Sequence, residues 1–338
     1  MRPIFPVSSP ILLPLAPTIA GTIANYLELM TQEIFGHLSH NCDNVVPKLP
    51  PDLCGHWQFE QSLKLVTSSP YQYVSTIAHR LAAKSPFTPM EICHHLQPPI
   101  GVAIDPRSCL ELGCWFNDAG YIYFELTPKS IALWLNYIHD LPLTIDPTAR
   151  FSAPTIAIYA HARCCSVLQL AQSEKLVAIT ADWQISPDLS CLENTSTAEL
   201  SSILNYPAQQ RLIHALMAVL DGIYRDNLRV VSPQLPSGIV GVVRLRSPQV
   251  AAPFLQNATP TANRPDSIAQ IRSPNWTKLT LDLAQSWLEF YRDCRIFGDV
   301  QRQNPQLAIA RCGLTAISRR YLQVLLENYL GISALSQL

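Results

Sequence analysis

The stretch SAPTIAIYAHARCCSVLQLA, residues 152–171, separates two kinds of sequence. Ile156, Ala160, Cys164, Val167 and Ala171 recur within it at helical spacing and share one face, so it reads as a helix. Downstream the reading is almost entirely helical. Ser196 with Glu199 three residues on makes a capping box that opens a second helix, and Leu212, Ala215, Leu216, Val219 and Ile223 carry a third. Asn275 opens another, with Trp276, Leu279, Leu283, Trp287 and Phe290 inward and Asp282, Gln285, Glu289 and Arg292 outward. Asn304 and Pro305 start the last long helix, which bears Leu307, Leu314, Ile317, Tyr321, Val324 and Leu325 and which Gly331 is placed to end. Prolines and strand formers interrupt the pattern at 228–272, where 239–245 reads as a strand and the neighbourhood of Pro260 and Pro265 as a loop.

Upstream the pattern is mixed. Five prolines between Pro3 and Pro17 make the start an extended arm rather than a signal peptide, and 19–35 follows as a short helix. Ser69 and Pro70 predict a helix start, with Tyr73, Ile77 and Leu81 at helical spacing; Thr88, Pro89 and Glu91 predict a capped helix ending before Pro98. Residues 101–104, 110–116 and 121–126 read as strands, the last two joined by a turn at Asn117, Asp118, Ala119 and Gly120. Thr127 and Pro128 restart a helix. The expected fold is therefore α+β: an arm over 1–24, a small N-terminal α+β domain over 25–142, a linker at 143–152, and an all-α helical bundle over 153–338.

The composition narrows the function. Of 338 residues 48% are hydrophobic and 14% charged, with a net charge of −1, so no overall basicity marks the chain for nucleic acid. The first 150 residues carry eight cations against twelve acids, which leaves +3 for the remainder, and 18 of the 24 cations are arginine. An arginine-weighted C-terminal half suits phosphate and bases. No apolar run reaches the roughly 18 residues that cross a bilayer, so no membrane is expected. Ten cysteines without a C-x-x-C pair read as reduced, buried thiols of a cytoplasmic protein. His37, His40, Cys42, Cys54 and His56 have spacings zinc could use, but the segment is broken by prolines and lacks the paired knuckle, so no metal is expected. No nucleophile elbow or glycine-rich phosphate loop is present, and no cofactor is expected.

Tyr159, Ala160, His161, Ala162 and Arg163, followed by Cys164 to Leu168, resemble the helix that opens the anticodon-binding domain of arginyl-tRNA synthetases, the DALR-type domain. Asp282 to Gln285 with Phe290, Tyr291, Asp293 and Cys294 resemble the family's next diagnostic helix, and 308–332 its closing helix and Leu-Gly-Ile turn. Gly120 to Leu126 are similar to a strand of the enzyme's N-terminal additional domain. The resemblance spans about two thirds of the chain and implies an N-terminal unit that reads the tRNA elbow, followed by a DALR-type helical domain that reads the anticodon loop. It implies Tyr121 at a D-loop base, with Tyr123 offering a stacking surface where the family has an Asn. It implies Tyr159 and Tyr291 near the anticodon stem and loop, Arg163 within the motif, and Leu338 as the apolar tip of a terminus that in the family ends Arg-Met. Arg292, Arg295, Arg302, Arg311, Arg319 and Arg320 are the cations expected to meet phosphate.

The family's nucleotide-binding domain has no counterpart here, because only 143–152 lies between the matched units. Its His-x-Gly-His and Lys-Met-Ser-Lys-Ser signatures are also missing; His37 to His40 and Pro128 to Ser130 are chance likenesses. The resemblance thus implies a non-catalytic synthetase paralogue whose partner is tRNA, an arginine-accepting tRNA being the family's own. A protein-interaction scaffold that lost RNA affinity is the alternative, and a protein partner through the N-terminal unit is compatible with both. A linker of about ten residues reaches at most roughly 36 Å. Direct packing of the two units is expected, through Trp134, Leu135 and Ile138 on one side and Ile156, Ile158 and Tyr159 on the other.

Overall fold

The computed structural model describes residues 11–41, 59–66, 71–96, 109–141, 154–187, 196–231 and 274–336, apart from positions 17, 60, 84 and 86. The chain divides into two compact units, Met1–Tyr224 with Asn275–Leu338, and Arg225–Pro274. Apart from the last turns of one helix, the elements below belong to the first. The expected strands at 101–104 and 239–245, the linker, Leu338, and the Cys42, Cys54 and His56 group lie outside the described residues.

The elements run β1 (Ile11–Pro14), α1 (Ile19–Asn41), β2 (Leu63–Leu65), β3 (Gln72–Ser75), α2 (Ile77–Ala82), α3 (Pro89–His95), β4 (Cys109–Phe116), β5 (Ile122–Leu126) and α4 (Pro128–Asp140). There follow α5 (Thr155–Ser173), β6 (Ala178–Ile179), β7 (Ile185–Ser186), α6 (Thr197–Leu204), α7 (Pro207–Val231), α8 (Trp276–Asp293), α9 (Asp299–Gln303) and α10 (Pro305–Val324), which passes into a π turn at Leu325–Tyr329. The fold is mixed α+β with a mostly helical second half.

The sheet is antiparallel, in the order β1-β4-β5-β3-β2. Alternation along β5 builds it: Ile122, Phe124 and Leu126 are buried on one face, leaving Tyr123 and Glu125 for the other. The β4–β5 turn is secured twice. Gly120 sits at φ +78, a left-handed conformation that L side chains resist, and a Cβ there would lie 2.5 Å from Pro89 Cβ.

The helix expected from Ser69 begins only at Ile77, because 72–75 forms β3 and pairs Tyr73 with Phe124 of β5. Tyr73 and Ile77 are spaced as helix neighbours, but Tyr73 and Ser75 also alternate with Gln72 and Val74, and a non-local ladder decided between the two periods. The capping boxes at Thr88/Glu91 and Ser196/Glu199 form as read, since they depend only on local chain. Ser130 in the first turn of α4 accepts from the Glu111 N–H at 2.6 Å and donates to its carbonyl at 2.8 Å, fastening the helix to β4.

The two halves pack directly. Trp134, Leu135 and Ile138 are buried as expected, whereas Tyr159 is 45% exposed and Ile156 and Ile158 are only half-buried. α10 and α6 make the main contacts with α4. Tyr321 donates to the Ile138 carbonyl at 3.3 Å, Tyr71 to the Leu204 carbonyl at 3.2 Å and Tyr73 to the Asp221 carboxylate at 2.9 Å. α10 is buried on nearly every side and forms the axis of the helical half. After the π turn, Gly331 at φ +67 turns the chain back, and His161 of α5 donates through Nδ1 to the Leu335 carbonyl at 2.8 Å.

Among the described residues no helix is long and apolar enough to cross a membrane, no group of three metal-ligating side chains forms, and the seven cysteines are buried free thiols.

Candidate nucleic-acid interface

α5 and α8 lie side by side, and helical spacing brings three of the expected residues to their shared surface. Tyr159 and Arg163 are four apart on α5 and both exposed. Arg163 donates through Nη2 to the Tyr291 hydroxyl at 2.9 Å, and its guanidinium carbon is 5.2 Å from the Tyr291 ring centroid. Tyr291 in turn stacks on Trp287, centroids 5.4 Å apart and planes 11° from parallel. Because Trp287 is fully buried, the core fixes the ring and the ring fixes the guanidinium. A flat cation beside an exposed tyrosine is a surface on which a nucleobase can stack.

Arg292, next along α8, forms a bidentate pair with Asp293 at 2.7 and 3.1 Å. That hydrogen bonding and charge push the guanidinium up from its ordinary pKa and draw the carboxyl down. Arg211 of α7 is likewise held by Glu289 at 2.9 Å.

Tyr121 and Tyr123 lie elsewhere, at the outer face of the sheet. Tyr123 stacks on Trp115, its direct partner across β4–β5, with centroids 5.7 Å apart and planes 8° from parallel; its hydroxyl accepts from Asn117 Nδ2 at 3.3 Å. Tyr121 is 36% exposed against the His79 ring, 4.7 Å between centroids. Trp115 was missed in the sequence. The signal was its place opposite Tyr123 on the outward-pointing register of two strands joined by a tight turn.

Arg319 and Arg320 have internal partners. Arg319 is buried, with its guanidinium 4.8 Å from the Trp183 ring centroid and Nη2 donating to Gln323 Oε1 at 3.2 Å; burial holds it below the ordinary arginine pKa. Arg320 donates to the carbonyls of His139 and Leu141, capping the carboxyl end of α4. Arg311 is 2% exposed. The expectation of a basic α10 surface therefore fails at Arg311 and Arg319, which lie buried in the middle of a layer, while the half-buried Arg320 has its guanidinium on two carbonyls. His161, unassigned to chemistry in the sequence, is a buried packing residue whose pKa burial lowers.

No family model matches the chain, and neither a curated protein nor a solved structure resembles it significantly.

Proposed function

We propose that the protein is a non-catalytic arginyl-tRNA synthetase paralogue whose DALR-type helical half binds tRNA at the surface of α5 and α8. The observation that carries this reading is the Arg163–Tyr291–Trp287 stack beside the exposed Tyr159. An aromatic ring and a guanidinium held in fixed orientation suit unpaired bases, and stacking is worth about 1–3 kcal/mol per base. The synthetase signatures for nucleotide binding are absent from the sequence. Because the sheet and helices pack within one unit, the reading favours engagement of the anticodon arm alone, with Tyr121, Tyr123 and Trp115 left for a protein partner.

Fluorescence anisotropy with a labelled tRNA anticodon stem-loop tests it. Tyr159→Ala is expected to weaken binding at least about fivefold, following the stacking energy above, and Arg163→Met to do the same with the fold intact. Unchanged affinity in both variants would overturn the reading.

A scaffold role is the second reading, favoured by the pairing of Arg292 and Arg211 with their own carboxylates and by Leu170, 46% exposed on α5. Under it the wild-type protein shows no salt-sensitive tRNA binding.

A further inference from the structure

The amino end of α7, the carboxyl end of α8 and the first half of α10 meet around Cys294. Arg311 reaches the Arg295 carbonyl beside Cys294, and its guanidinium lies against Tyr206, one helical turn before Gln209. Two side chains at this meeting point are buried without full partners. Gln209 is 0% exposed, and neither its amide nitrogen nor its amide oxygen has a hydrogen-bond partner. Arg311 donates through Nη1 to the Arg295 carbonyl at 2.5 Å and lies 4.7 Å from the Tyr206 ring centroid, but its Nε donates to nothing. Among the described residues no carboxylate pairs with it; Glu289 and Asp293 of α8 are taken by Arg211 and Arg292.

Buried polar atoms nearly always find partners, and a buried cation without a counter-charge is costly. The amino end of a 25-residue helix adds partial positive charge to the same place. The vacant groups are two donor nitrogens, Arg311 Nε with one proton and Gln209 Nε2 with two, and one acceptor oxygen, so the complementary occupant is an anion that also carries a hydroxyl. Phosphate and its monoesters qualify, because a P–OH remains on them over part or all of the neutral range. Sulfate and phosphodiesters have no such proton.

We propose that Gln209 and Arg311 form a site for a protonated phosphate group. Its oxygens accept from Arg311 Nε–H and Gln209 Nε2–H, and its P–OH donates to Gln209 Oε1. Tyr206, 45% exposed over the guanidinium, is the side chain that swings aside to admit it. The site stands independently of the tRNA reading, which uses other residues.

Thermal unfolding of the full chain in low-millimolar phosphate, against sulfate at matched ionic strength, is the test. Sulfate controls for general salting-out stabilisation. Phosphate is expected to raise the midpoint about 2–4 °C above sulfate. The difference disappears in Arg311→Met and shrinks in Gln209→Leu, which carries the test if the arginine variant does not fold. Uridine 5′-monophosphate in place of phosphate separates the sources: a larger shift assigns the site to a phosphomonoester, an equal or smaller one to free phosphate. Equal midpoints in phosphate and sulfate, or an increment unchanged in the variants, would overturn the proposal.

Discussion

α8 and α10 both carry arginines at their exposed-looking positions, and the structure treats them oppositely. α8 is amphipathic: Leu283, Ala284, Trp287 and Phe290 face the core while Lys278, Asp282 and Arg292 face water. α10 has neighbours all round, and buries Arg311 and Arg319 with Leu314, Ile317 and Tyr321. An arginine's role thus follows from the layer its helix occupies. On α8 it is a solvated charge beside an aromatic surface; on α10 it is a multi-donor fastener for carbonyls, amides and rings.

The sharpest way to break this contrast is charge reversal at Arg319. A carboxylate there would lose the Gln323 bond and the Trp183 ring and sit buried beside the Cys164 and Cys165 thiols. We expect Arg319→Glu to cost about 3–5 kcal/mol in urea unfolding. Arg320→Glu, at a half-buried position, costs less but leaves the His139 and Leu141 carbonyls at the end of α4 uncapped. Loss of tRNA binding in either variant therefore reports on folding and not on contact with phosphate. A cost below about 1 kcal/mol, the range of an exposed pair, would show that α10 is not the buried axis.

The same contrast explains what could be read in advance. Capping boxes, the Asn117–Gly120 turn and the alternation of β5 are local, and each was legible. β3 was not, because Tyr73 belongs to a helical and a strand period at once and only its pairing with Phe124 separates them. The two-residue strands β6 and β7 are too short to leave a periodic trace. At the candidate interface the helical spacing of Tyr159 and Arg163 was legible, but the exposure of Tyr159 was not, because the sequence placed it against α4. The roles of Arg319 and Arg320 were not, because Trp183 and the end of α4 approach them from distant parts of the chain.

Two histidines, His161 buried and His214 half-buried, give a smaller effect. Burial lowers the pKa of His161 and of His214 from the ordinary 6.5. The folded state therefore binds fewer protons than the unfolded chain, so the stability these groups contribute is present above pH 6.5 and is lost as pH falls below it. His161 has a specific reason: its Nδ1–H is committed to the Leu335 carbonyl, and a second proton would go to Nε2, which is buried and unpartnered near Arg319. The ordinary carboxylate value of 3.8 lies well below this window. Unfolding midpoints at pH 7.5 and pH 5 should fall in that order for the wild type and converge in a His161→Gln/His214→Gln variant. A wild-type midpoint equal at both pH values would contradict the lowered pKa of the two rings.

The smallest expected effect is the most informative about α8. Arg292 is fully solvated, and its bidentate bond to Asp293 has to be given up before the guanidinium can meet a phosphate. Asp293→Asn removes the competing charge while keeping the side chain's size. At an exposed pair this should leave folding stability nearly unchanged. If α5 and α8 bind RNA, the freed arginine neutralises one further phosphate, so affinity for the stem-loop rises a few-fold at low salt and the salt slope steepens by about 0.7. Arg292→Gln should move both quantities the other way. A scaffold surface predicts neither change, because a protein partner selected for the paired arginine would be weakened by Asp293→Asn as much as by Arg292→Gln. The sign of the Asp293→Asn effect on RNA affinity thus separates the two readings with the fold untouched, which no substitution on α10 can do.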